Sequence, residues 1–228
     1  MSLYVIGDLH LSLSVNKSMD VFSGWENYVD RILSGWNNTV KRDDTVVLAG
    51  DSSWGMNLNE AKADFEFINN LPGRKIILKG NHDYWWTTVN KMERFFFVNG
   101  FSTLNILHNN HYAYCDYAVC GTRGWINENG ETADKKVLLR EAGRLDASIV
   151  SAKKAGLEPI VFLHYPPVFS SDCNYDILEV LDRHEIKRCY YGHIHGKSCY
   201  NAVNGMRDRI DYKLISSDYL QFTPEKVI

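Results

Sequence analysis

Seven residues of ligand-forming type stand just past short apolar runs. Asp8 and His10 follow "LYVIG", Asp51 follows "TVVLAG", Asn81 follows "KIILKG", His164 closes "PIVFLH", and His193 and His195 follow "CYYG". Taken singly, each has an ordinary explanation, since an Asp after Gly serves turns and a His at a strand end is usually a satisfied side chain. Taken together, one pattern repeats five times, and with His82 beside Asn81 five of the eight histidines fall within it. Imidazole nitrogens, carboxylates and one amide oxygen, with no thiolate, suit manganese, iron or zinc. Seven ligands are too many for one ion and suit two ions about 3.5–4 Å apart, with the two oxygens of Asp51 available to bridge them.

Such residues act together only if the elements before them converge. Short apolar runs alternate with helical periodicity, the mark of a layered α/β fold. Phe22, Trp25, Val29, Ile32, Leu33 and Trp36 form one helical stripe. Asn57 and Glu60 form a capping box before a second, through Leu58, Ala61, Phe65, Ile68 and Leu71. A third helix is expected from Tyr84 to Val98, packing its aromatics inward, then two or three antiparallel strands across "FSTLNILHNNHYAYCDYAVCG". A charged amphipathic helix is expected from Ala133 to Ala155, another from Tyr175 to His184, and a last run of strands to Phe222. Ligands of open α/β sheets bind beyond the carboxyl ends of the strands, so all seven residues should meet on one rim.

The 228 residues, 45% hydrophobic, suffice for one large core, and a single domain over residues 1–228 is expected. With 25 basic and 28 acidic residues the formal charge is −3, so composition gives no basic field of the kind that attracts nucleic acid. No stretch reaches the roughly 18 apolar residues of a membrane span. The opening residues lack a basic segment followed by a long apolar run, which points to the cytoplasm. The five cysteines include no C-x-x-C pair and read as small buried hydrophobes.

With "GDLH" at Gly7 to His10, "GD" at Gly50 and Asp51, "GNHD" at Gly80 to Asp83, "LH" at Leu163 and His164, and "GHIH" at Gly192 to His195, the chain resembles the calcineurin-like metallophosphoesterases. "GNHD" together with "GHIH" carries most of the resemblance. It implies a four-layer αββα sandwich, two mixed β-sheets flanked by helices. It also implies that Asp8, His10 and His195 hold one divalent ion, Asn81, His164 and His193 the other, with Asp51 bridging.

The implied chemistry is hydrolysis of a phosphate ester on a phosphorylated small molecule. Two divalent ions outweigh the charges of Asp8 and Asp51, leaving a cationic pocket in which a bridging hydroxide attacks phosphorus. His82, third in "GNHD", would stabilise the phosphoryl group or protonate the departing oxygen. The protein-phosphatase branch carries a further aspartate, three residues after the second-motif aspartate, to orient that histidine. Trp54 stands there in this chain. A phosphodiesterase or pyrophosphohydrolase acting on a nucleotide or lipid headgroup is the alternative, and a non-catalytic scaffold, expected to have lost ligands, a further one.

Arg123 in "CGTRGW" is a candidate phosphate contact, since Arg suits bidentate pairing with phosphate. Trp54, Tyr84, Trp85, Trp86 and Trp125 are expected in the core, with one or two free to stack on a base or leaving group. "GHIHGKS" is no P-loop, having three residues between its glycines rather than four. The loops that would set specificity are Ser12 to Ser18, Gly121 to Thr132 and Phe169 to Asn174. Substrate and oligomeric state have no signature in the sequence.

Overall fold

Alternation in the strands sorts side chains onto opposite faces, and this builds the layers. The computed structural model describes residues 1–125, 135–170 and 172–228. Its first half runs β1 (Leu3–Ile6), α1 (Tyr28–Thr39), β2 (Thr45–Ala49), α2 (Lys62–Asn70), β3 (Arg74–Leu78), α3 (Val89–Val98) and β4 (Leu104–Ile106). There follow β5 (Tyr112–Tyr114), β6 (Tyr117–Thr122), α4 (Lys135–Lys154), β7 (Glu158–Leu163), β8 (Val168–Phe169), β9 (Asp172–Cys173) and α5 (Tyr175–Arg183). Last come β10 (Arg188–Tyr191), β11 (Gly205–Arg207), β12 (Ile210–Leu214) and β13 (Glu225–Lys226).

One sheet has the order β13-β1-β2-β3-β4 and the other β11-β12-β10-β7-β6-β5, with β8 and β9 pairing as a small separate ribbon. In each large sheet four neighbouring strands are parallel and antiparallel strands close the edges: β13 in the first, β11 and β5 in the second. Val46 and Leu48 of β2 point to a core shared with Ile32, Trp36, Phe65 and Phe96 of the first three helices. Val47 and Ala49 point the other way, into a layer with Val119, Ile160, Phe162 and Tyr190 of the second sheet. Val161 and Leu163 face Leu145, Ile149, Val180 and Leu181 of α4 and α5. The architecture is therefore two mixed sheets face to face, with helices on both outer sides, as the resemblance implies. Among the described residues no helix is long and apolar enough to cross a membrane.

Several elements differ from the periodicity. The first helix begins at Tyr28, because Asn27 adopts a left-handed conformation, and Phe22 and Leu33, expected on its buried stripe, are exposed. Trp25, before the helix, is buried instead against the rings of His10 and His195. The Asn57–Glu60 box forms as a turn, with Asn57 Oδ1 accepting from Glu60 N, but α2 proper starts at Lys62. Tyr84–Thr88 is loop rather than helix, and Phe97 of α3 is exposed. β4 joins the first sheet parallel to β3, leaving only β5 and β6 as a hairpin. The expected helix start at Ala133 and most of the loop Gly121 to Thr132 lie outside the described residues. Strand ends at Leu214, and β13 then returns to pair with β1. Cys120 and Cys189 are buried, but Cys115 is exposed and Cys173 and Cys199 are half-buried.

Candidate metal centre

The parallel strands β1, β2, β3, β7 and β10 all deliver their carboxyl ends to one rim, and the loops there are stitched to one another. Asp8 N donates to Gly50 O (3.0 Å), His10 N to Asp51 O (2.9 Å) and Gly192 N to His164 O (3.1 Å). Across the sheets, His193 N donates to Asp8 Oδ2 (3.0 Å) and His164 Nδ1 to Ala49 O (3.1 Å). Four of the seven predicted ligands, Asp8, His10, Asp51 and His193, have positive φ (61°, 47°, 50° and 72°). A non-glycine residue in that region costs roughly 1–2 kcal/mol, and strain of this kind gathers at functional sites.

The structure brings all seven together. Asp8, His10 and His195 form one group and Asp51, His164 and His193 another, each with its ligand atoms within 4.8 Å of one another. Asn81 belongs with the second group, its Oδ1 lying 2.6 Å from His164 Nε2 and 3.1 Å from His193 Nδ1. Asp51 Oδ2 stands between the groups, 3.4 Å from His164 Nε2 and 3.7 Å from His10 Nε2. Its Oδ1 accepts from His82 N at 2.7 Å, so a single oxygen, not both, faces the two groups.

This donor set fits a cation. The bond to Ala49 O fixes the His164 proton on Nδ1, leaving an Nε2 lone pair aimed at two oxygens, Asn81 Oδ1 and Asp51 Oδ2. Asp218 does the same for His195, accepting from Nδ1 at 2.9 Å so that Nε2 faces Asp8 Oδ1. The His164 lone pair facing acceptor oxygens in a buried site calls for a positive ion between them.

Burial pushes Asp8 up to about 7 and Asp51 up to about 6, and it holds His164 down at about 3 and His10 well below the ordinary histidine range. Of the four candidate ligand histidines, His195 alone is raised. Burial opposes its charge, but the hydrogen bond to Asp218 and the charges of Asp8, Asp218 and Asp51 outweigh that.

Three residues of the site were assigned no such place from sequence. Asp83 is fully buried and accepts from Gly80 N (2.7 Å), Asp51 N (2.9 Å), Ser52 N (2.9 Å), Ser53 N (3.4 Å) and Trp85 Nε1 (2.9 Å), so it clamps two ligand loops together. Asp218 follows β12 and repeats the strand-end pattern, a signal that was present in the sequence. Trp54 packs at the edge of the core, and its half-buried ring also stacks on His10 (5.1 Å) and lies 4.3 Å from the His82 ring. His82 has the Tyr84 hydroxyl 3.4 Å from Nδ1 and, among the described residues, no carboxylate partner. Trp85 is buried as expected, whereas Tyr84 is exposed. Arg123 lies beside the cluster, its carbonyl accepting from His164 N, with Nη2 3.6 Å from Glu141 and its guanidinium over the Trp125 ring.

Gly192 leaves room for Asp8: a Cβ there would stand 2.5 Å from Asp8 Oδ2. Gly192→Ala should therefore weaken divalent-ion binding about 10- to 100-fold, the usual cost of disturbing a ligand's support. Calorimetric titration of the variant checks this.

Comparison with known proteins agrees with the geometry. The family model for calcineurin-like phosphoesterases matches residues 1–197. The uncharacterised protein MJ1445 of Methanocaldococcus jannaschii is 24% identical over 169 residues, 71% of this chain and 90% of that protein. Among solved structures, a protein of unknown function from Aquifex aeolicus, AQ665, superposes with a TM-score of 0.54 at 15% identity, over 99% of this chain and 95% of that one. The phosphopantetheinyl hydrolase PptH of Mycobacterium tuberculosis gives 0.54 at 12%, over 100% and 95%. At these identities the structural likeness is one of fold. With a family match that spans most of its length, the chain belongs to the calcineurin-like phosphoesterases.

Proposed function

We propose that this protein is a dinuclear metal-dependent phosphohydrolase, with Asp8, His10 and His195 holding one divalent ion, Asn81, His164 and His193 the other, and Asp51 between them. The observation that carries the reading is the pair of adjacent buried ligand groups, with the His164 Nε2 lone pair facing the Asn81 and Asp51 oxygens between them. Bound there, manganese, iron or zinc would polarise the phosphoryl oxygens and make water nucleophilic near neutral pH.

The chain's own residues prepare that chemistry. Asp218 and the Ala49 carbonyl fix the tautomers of His195 and His164, and His82 N–H orients Asp51. Burial lowers the pKa of His82, so its ring meets the substrate neutral and donates a hydrogen bond to a phosphoryl or leaving oxygen. The Trp54 ring covers one side of that imidazole where a carboxylate would otherwise charge it. Arg123, its guanidinium near Glu141 and Trp125, stands beside this cluster as the contact for a further phosphate group of the substrate.

A phosphodiesterase or pyrophosphohydrolase is the second reading. It is favoured by the aromatic surface of Trp54 and exposed Tyr84, with Lys17 Nζ 5.2 Å and 6.0 Å from their ring centres, which suits a large leaving group. Hydrolysis of p-nitrophenyl phosphate and bis-p-nitrophenyl phosphate with manganese, side by side, tests the proposal. Turnover of either ester, abolished by chelation and restored by metal, is expected. No turnover of any mono- or diester would sink it.

Ion binding must displace protons from Asp8 and Asp51. Both have raised pKa values, about 7 and about 6, so they are protonated below that window and ionised above it. Manganese affinity should fall as pH drops from 8 to 5, by about tenfold per unit for each proton displaced. Calorimetry in buffers of different ionisation enthalpy should show proton release at pH 6 that fades by pH 8.

A further inference from the structure

A second polar concavity on the same side of the molecule is not used by the ligand cluster. Between the ends of β3 and β4 and the elements β6 and α4 lies a cavity of about 470 Å³. Among the described residues its walls carry four cations, Lys79, Arg123, Arg140 and Arg144, against one carboxylate, Glu141. In a chain of formal charge −3 this is a local reversal of sign.

Glu141 cannot satisfy these cations. It is buried; its Oε2 accepts from Thr122 Oγ1 at 2.6 Å, and its Oε1 is shared between Arg123 Nη2 at 3.6 Å and Arg144 Nε at 3.5 Å. Those separations are too long for hydrogen bonds. Nε of Arg123 and Nε of Arg144 are both buried without a hydrogen-bond partner among the described residues. On its other side Arg144 meets an imidazole, with Nη1 2.7 Å from His108 Nε2. A buried donor left unpaired costs about 1–3 kcal/mol, more when charged. An anion with several acceptor oxygens would recover that cost, and guanidinium groups match phosphate geometry best. The cavity also adjoins the ligand cluster, because the Arg123 carbonyl accepts from His164 N (3.2 Å) and Tyr165 N (2.8 Å), and Lys79 leads directly into Gly80 and Asn81.

We propose that this cavity is a second anion subsite, taking a phosphate or pyrophosphate group of a small ligand bound beside the candidate metal centre. The subsite requires neither bound ions nor turnover, so its failure and the failure of the hydrolase reading are separately visible.

The test is calorimetric binding of inorganic pyrophosphate to the chelator-treated full chain at low ionic strength. The expected result is one saturable site per chain, weakened by salt, weakened at least tenfold in the double variant Arg140→Gln, Arg144→Gln, and retained in Asp51→Asn. Since Arg144 packs against Glu141 and His108, Arg140→Gln alone, at an exposed position, serves if the double variant does not fold, and it should weaken binding several-fold. Absence of saturable binding, binding undiminished in both variants, or binding lost in Asp51→Asn would overturn the proposal.

Discussion

Asp51→Asn should lower kcat/KM on any phosphate ester the protein hydrolyses by about a thousandfold or more, ~4 kcal/mol of transition-state stabilisation at 1.36 kcal/mol per decade. The change is nearly isosteric. The asparagine oxygen can still accept from His82 N, so the "GNHD" loop keeps its anchor. What is lost is the charge at Oδ2, which lies 3.4 Å from His164 Nε2 and 3.7 Å from His10 Nε2. Burial already disfavours that charge in the metal-free protein, so the variant should unfold no more easily than the wild type. A folded variant with activity within tenfold of wild type would show that Asp51 does not join the two groups.

Asp83→Ala should cost the fold about 3–5 kcal/mol, the range for removing one partner from a buried charged network. Five N–H groups converge on this carboxylate, four of them backbone groups of the Asp51 and Asn81 loops. Alanine strands them all without access to water. Burial, then the nearby Asp51 charge, push Asp83 up to about 7 against the pull of these donors. Urea denaturation of the metal-free protein measures the loss. A change below about 1 kcal/mol would mean that the donors find other partners and that Asp83 does not hold the loops.

The candidate ligands were legible because each strand is a short apolar run whose end must turn polar, and a parallel sheet delivers successive strand ends to the same side. Asp83 stands in "GNHD" with no visible task, since three of the five N–H groups it accepts lie about thirty residues away in the chain. Nothing local records such a partnership. An aromatic beside a motif is usually buried, and Trp54 does pack against the core, but spacing gives no sign that its ring also covers two histidines. Helical periodicity placed Phe22 in the first helix, but left-handed Asn27 sets the true start. The sequence around β4 looked like a meander, and its parallel pairing with β3, across the whole of α3, is a non-local choice that spacing cannot reveal.

The most direct test of the account is to titrate manganese into the metal-free protein while measuring ions bound per chain and hydrolysis of bis-p-nitrophenyl phosphate and p-nitrophenyl phosphate in the same samples. Two ions per chain are expected, with turnover of at least one ester appearing as the second site fills. Fewer than two ions, or hydrolysis that persists in excess chelator, would contradict it.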